Sequence, residues 1–153
     1  MLGAVMRIFF LVGFMLFFCE SSYAALGAVP SDFKVANGSR KSQALSAVVS
    51  KNFQISETTL SSGTVVREYV SAKGVVFAVS WSGPLLPDLQ TLLGKHFKTM
   101  VDEAGRVPKA GHSQLRVNRP EVSIFSGGHM RAYEGKAWVS SEFPDGFSLQ
   151  DIQ

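Results

Sequence analysis

Between Glu57 and Gly94 the apolar residues change their spacing from that of a β-strand to that of an α-helix, and this switch limits what the chain can fold into. In Gly74–Trp81, Val75, Phe77, Val79 and Trp81 fall on one face, and Val76, Ala78 and Ser80 on the other. Alternating β-branched and aromatic residues mark a strand, and apolar residues on both faces mark a central one. Two runs precede it. Thr64–Ser71 sets Val65, Arg67 and Tyr69 against Val66, Glu68 and Val70, and Phe53–Leu60 supplies a third strand. Ser61-Ser62-Gly63 and Ala72-Lys73-Gly74 join them with small residues and a glycine free to take positive φ, as short hairpins require. The expected unit is an antiparallel β-meander.

After Gly83-Pro84 the period changes. Leu89, Leu92, Leu93, Phe97, Met100 and Val101 make a single stripe on a helix. Pro87 suits the first turn, Asp88 sits at the positive end of the helix dipole, and Gly105 offers a stop. Gly94 falls inside the helix, at a cost of about 1 kcal/mol relative to Ala. Either another backbone approaches it closely or it is tolerated.

The stretches Gly63-Thr64-Val65-Val66-Arg67-Glu68-Tyr69 and Val76-Phe77-Ala78-Val79-Ser80-Trp81 recur with Gly83-Pro84, Pro87-Asp88-Leu89 and Leu92-Leu93-Gly94, behind an Ala25-Leu26-Gly27 start. In these pieces the chain resembles the domain-of-unknown-function family 2844 (DUF2844), small exported proteins of Gram-negative bacteria. The resemblance covers most of the mature chain. It implies a small exported protein and carries over no catalytic residue.

The first residues read as a leader. Arg7 precedes an apolar run, Ile8–Cys19, and small residues follow at Ser22 and Ala24. That layout predicts a signal peptide over 1–24, cut between Ala24 and Ala25. The run is short against the ~20 residues of a spanning helix, so no membrane anchor is expected after cleavage. Lipidation at Cys19 is rejected, because Phe18 stands where the lipoprotein peptidase takes a small residue.

Cleavage removes the one cysteine, and with it disulfides, thiol catalysis and cysteine-based metal sites. A mature chain of about 130 residues must then rest on an ordinary apolar core, which that length can supply. With 15 Lys and Arg against 12 Asp and Glu, the surplus of positive charge is small and forms no dense run.

Residues 25–52 hold Gly27, Pro30, the turn signal Asn37-Gly38 and a polar cluster, so a flexible segment is expected, with Ala44–Val49 a short helix or extended piece. A single domain is placed over 53–143. Beyond the helix, strands are expected at Ser113–Asn118 and Glu121–Ser126. A hairpin turn at Gly127-Gly128 leads to His129–Glu134, a turn at Gly135 and a last strand, Lys136–Ser141. Residues 144–153 are expected to trail as a C-terminal tail, pinned by Phe143 or Phe147. The fold class is α+β: a meander, one long amphipathic helix packed on the sheet, then a further set of antiparallel strands.

Chemistry is scarce in this pattern. His96, His112 and His129 lack the close pairing of metal ligands, so no metal or cofactor is expected, and His96 reads as partly buried beside the helix stripe. No Gly-x-Ser-x-Gly elbow occurs. Lys73–Val79 has a faint likeness to the base-stacking strand of RNA-recognition modules, but Phe77 alone matches, so nucleic acid is set aside. The aromatic residues belong first to the core. Trp81 and Trp138, at or near strand ends, can keep an indole N–H wet while the ring meets a partner, and Trp81, Gly83 and Pro84 are the expected ligand or partner groove.

Three function classes follow. The leading one is a non-enzymatic periplasmic or secreted protein that binds an envelope protein or envelope component. The second is a binder of anionic glycan or lipid headgroups through Arg67, Lys73, Lys95 and Lys98. The third is a hydrolase with a Ser/His site.

Overall fold

The computed structural model describes residues 26–31, 35–43, 52–106 and 114–153, the second range by its backbone alone. The expected leader, its cleavage point at Ala24-Ala25, Ala44–Val49 and His112 lie outside the described residues.

Seven strands form one antiparallel sheet: β1 (Val35–Gln43), β2 (Phe53–Leu60), β3 (Val65–Ser71), β4 (Val76–Gly83), β5 (Leu115–Asn118), β6 (Ser123–His129) and β7 (Ala132–Trp138). Their spatial order is β1-β2-β3-β4-β7-β6-β5. The meander β2-β3-β4 is as the alternation predicts, and β4 is central. Between β4 and β5 runs a helical stretch of 18 residues, so the fold is α+β with the helix on the sheet.

That stretch is two helices, α1 (Leu89–Leu93) and α2 (Phe97–Arg106), joined by a 3-10 turn over Gly94–His96. Asp88 caps α1, its Oδ1 accepting from the N–H groups of Gln90 and Thr91 at 3.0 and 3.2 Å. Gly94 takes φ 51° and ψ −123°, a backbone that a side chain disfavours, and there the first helix stops. The expected stripe divides at this glycine. Leu89, Leu92 and Leu93 are buried, Phe97 and Met100 pack on the rim of the core, and Val101 is 48% exposed.

A β-bulge corrects the reading of β4. Tyr69 pairs with Ala78 and Val70 with Val76, so Phe77 is one residue too many for β3. Strict alternation would put Phe77 beside Val79 and Trp81. Instead Phe77 and Ala78 face the same way, into a second core with Phe53, Tyr69 and Ile152, while Val76, Val79 and Trp81 face the helix.

Three further expectations are corrected. First, Gly127 and Gly128 lie inside β6. The hairpin turns at Met130-Arg131, with Arg131 at φ 67°, so the two expected strands on either side of Gly135 are one strand. Gly135 sits within it because the Trp81 ring lies over it: a Cβ there would come within 2.2 Å of Trp81 Cζ2. Second, the described parts of the N-terminal stretch are built in. Leu26 is 1% exposed, its N–H donates to Leu92 O, and Gly27 and Ala28 exchange hydrogen bonds with Val76. The Asn37-Gly38 signal lies in β1, where its pairing with β2 shifts register. Third, the tail beyond Phe143 is part of the domain. Phe143 and Phe147 stack edge-on against Phe77 at 5.9 and 4.7 Å, and Ile152 is 5% exposed. The sheet thus carries the helix on one side and the tail on the other.

Candidate functional site

The expected groove at Trp81, Gly83 and Pro84 is filled. Trp81 is 2% exposed, on the helix side, and its Nε1 finds no hydrogen-bond partner among the described residues. A Cβ on Gly83 would lie 2.4 Å from Thr64 Cα, and Thr64 Oγ1 donates to Leu85 O at 2.6 Å. Gly83-Pro84 is therefore packed on the β2–β3 turn. A bulky aromatic ending a strand next to a glycine reads equally well as a core anchor, and Gly135 opposite decides for the core.

The four expected cations do not converge. Arg67 lies on the tail side, where its Nε donates to Glu57 Oε2 at 2.9 Å. Lys73 is in the β3–β4 turn, and Lys95 lies in the 3-10 turn, next to Gly27. Lys98, on α2, donates to Asp102 Oδ2 at 2.7 Å. One of the four, Arg67, belongs to a larger arrangement.

Register supplies that arrangement. Glu57 pairs with Arg67, Arg67 with Ser80, Ser80 with Lys136, Lys136 with Phe125, and Phe125 with Arg116. Paired residues across a sheet point to the same side, so these six residues form one line from β2 to β5. Their chain neighbours Val66, Val79, Ala137, Ile124 and Val117 face the helix-side core, which turns the line to the tail side. A second line lies beside it: Ile55, Tyr69, Ala78, Trp138, Ser123 and Asn118.

The tail covers only part of this side. It packs on Phe53, Tyr69 and Phe77, then ends with Gln153 N–H donating to the Tyr69 hydroxyl at 2.9 Å and Ser80 Oγ donating to the Gln153 main-chain oxygen at 2.6 Å. The rest stays open as two adjoining hollows that share Phe125 and Lys136. One, of about 380 Å³, is bordered by Arg67, Ser80, Ser82, Glu134 and the end of the tail. The other, of about 480 Å³, is lined by Arg116, Asn118, Ser123 and Trp138 as well, and none of the described residues lining it is acidic.

Within the second hollow the polar groups are held. Arg116 lies over the Phe125 ring, 5.8 Å from its centroid, and Ser123 Oγ donates to Asn118 Oδ1 at 3.1 Å. Arg116 and Lys136 have no ion pair among the described residues. The site offers cationic donors, neutral hydrogen-bonding side chains and aromatic surface together. It is equipped to bind.

The histidines take other places. His96, the last residue of the 3-10 turn, is 6% exposed near Gly27, and Nε2 has no partner among the described residues. Its pKa is lowered, first by burial and then by Lys95, with Glu121 opposing. His129 ends β6 at the exposed hairpin tip. Among the described residues no three of His, Cys, Asp and Glu come together in a way that could hold a metal ion. Nor is any helix among them long and apolar enough to cross a membrane.

On the helix side, Ser31 N–H donates to Oε1 of the buried Glu68 at 2.8 Å. Glu103 accepts from both Arg106 and Arg119, and the Arg119 hydrogen bond is the main cause of its lowered pKa.

Among known families, the profile of the family described as "Protein of unknown function (DUF2844)" matches residues 22–152. No curated protein and no solved structure matches the chain.

Proposed function

Since the chain belongs to the DUF2844 family, whose description assigns no activity, we propose a role read from its own residues: a non-enzymatic, exported, envelope-associated module that binds a partner protein or envelope component through the open part of its tail side. Two features support this. The leader-like layout of Arg7, Ile8–Cys19 and Ala24 supports export across the inner membrane of a Gram-negative cell to the periplasm or beyond. The single observation that carries binding is the line Arg67–Ser80–Lys136–Phe125–Arg116 with the two hollows along it, which the tail leaves open except at Ser80, buried under Gln153.

Two measurements test the reading. With the full chain tagged and expressed, osmotic shock should release a form shortened by the leader, and an uncut form confined to the cytoplasm sinks the export half. Ser123→Trp, which fills the second hollow, should remove whatever co-purifies with the wild-type chain from a gentle periplasmic extract. Equal recovery with both chains sinks the binding half.

A further inference from the structure

From the spacing and chemistry of the open line we infer that its ligand is a linear acidic polysaccharide, of the polyuronate type, laid across the strands. The inference rests on the binding role proposed above and adds the class of ligand.

Three observations carry it. Arg67, Lys136 and Arg116 stand on β3, β7 and β5, each two strands from the next. Strands lie ~4.8 Å apart, so the cations recur about every 10 Å. A polyuronate carries one carboxylate on every pyranose ring, and a ring spans about one strand spacing, so every second carboxylate along the chain meets a cation. The line is also a furrow rather than a point: the two hollows join end to end through Phe125 and Lys136. A single phosphate would use one cation and leave the others idle.

The lining matches the rest of such a ligand. Asn118 and Ser123 can meet hydroxyl groups, while Phe125 and the half-buried Trp138 offer ring faces on which the apolar side of a sugar can lie. Arg116, exposed at the rim, lies over Phe125 and so keeps its charge at the edge of the hollow. Carboxylates are pushed to the margins. Glu57 is held by Arg67 at one end, and Glu134 borders only the first hollow.

The experiment titrates the full, leader-cleaved chain with size-defined oligogalacturonates, with neutral dextran oligomers of matched length, and with phosphatidylglycerol vesicles. Galacturonates are expected to bind and neutral oligomers not to, with affinity falling as sodium chloride is raised. Arg116→Gln or Lys136→Gln should each weaken binding about ten-fold, as expected when one charge-assisted hydrogen bond is removed. Arg67→Gln should weaken the longer oligomers and leave the shortest unchanged, because Arg67 is the far end of the line. Lys98→Ala, on the opposite side, should change nothing.

Equal binding of neutral and acidic oligomers overturns the inference, as does galacturonate binding that all three Gln variants leave intact. Vesicle binding lost in Arg116→Gln, with no galacturonate binding, replaces the polysaccharide by a lipid headgroup. Should no oligomer bind while Ser123→Trp still abolishes co-purification, the ligand class is wrong and the binding face stands. Should both fail, the binding role falls with it.

Discussion

The helix side and the tail side of this sheet are made by the same strands, one residue out of step with each other, and they use their residues differently. On the helix side Val66, Val79, Trp81, Leu92 and Leu93 form a continuous core, none more than 2% exposed, closed at its border by Leu26. On the tail side an aromatic cluster of Phe53, Tyr69, Phe77, Phe143 and Phe147 covers one part, and the charged line crosses the other. The difference lies in the cover. A helix with a leucine stripe can dry its whole footprint, whereas a short tail with three apolar anchors (Phe143, Phe147 and Ile152) cannot, and the sequence places charge where the tail does not reach.

The comparison breaks first on stability. Trp81→Ala should cost about 3–5 kcal/mol, because it empties the centre of the helix-side core. Denaturant titration by far-UV circular dichroism reads the loss. Phe147→Ala should cost less, about 2 kcal/mol, because its ring is half-buried and its removal lets the tail lift without opening the helix side. If the two losses are equal, the two sides are one cooperative core and the contrast between them fails.

Gly135→Ala probes the seam between the sides. The added methyl meets the Trp81 ring, so a loss of about 1–3 kcal/mol is expected. The same change in a Trp81→Leu background should cost less but not become neutral, because the methyl also falls 2.6 Å from the main-chain oxygen of Phe125. A penalty undiminished in that background would trace to the strand backbone and not to the indole.

Titration sharpens the contrast on the helix side. His96 is held neutral by burial, with a pKa below its ordinary 6.5. The unfolded chain therefore takes up its proton first as pH falls, and stability drops below about pH 6.5, with a slope of at most about 1.4 kcal/mol per pH unit for one proton. His96→Leu should flatten that part of the stability–pH curve. A curve with the same slope in both chains assigns it to other groups.

The smallest effect is optical. Trp81 is enclosed and Trp138 half-open beside Lys136, so iodide should quench one tryptophan and leave the other, and should outdo caesium at equal concentration. In Trp138→Phe the remaining emission should resist both ions. Strong quenching of that variant would mean that the helix side opens to solvent.

Much of the fold could be read from local spacing. The meander, the capped first helix and the buried leucines all depend on neighbours within a few residues, where periodicity speaks directly. The bulge at Phe77-Ala78 could not be read, because two consecutive apolar residues fit either face until β3 is laid beside them. The tail's cover was hidden for a similar reason: Phe147 and Ile152 are isolated apolar residues in polar company, with partners as distant along the chain as Phe53 and Tyr69.

The site was legible at Arg67 and Trp138 alone. Lys136, Phe125 and Arg116 align only if the β6–β7 hairpin turns at Met130-Arg131. A turn at Gly127-Gly128 would set Phe125 opposite Met130 and scatter the line. Trp81 failed for the opposite reason. Its place at a strand end suggested a wet indole, while the glycine that receives its ring lies more than fifty residues further on.

The two ends of the domain leave it from different sides. Leu26 is tied to α1 beside the leucine core, and Gln153 is tied to Tyr69 and Ser80 at the mouth of the first hollow. An affinity handle fused behind Gln153 would therefore crowd the open furrow, while one placed ahead of Leu26 would anchor the domain by its back. For any surface-based assay, the choice of end decides which half of the molecule the analyte meets.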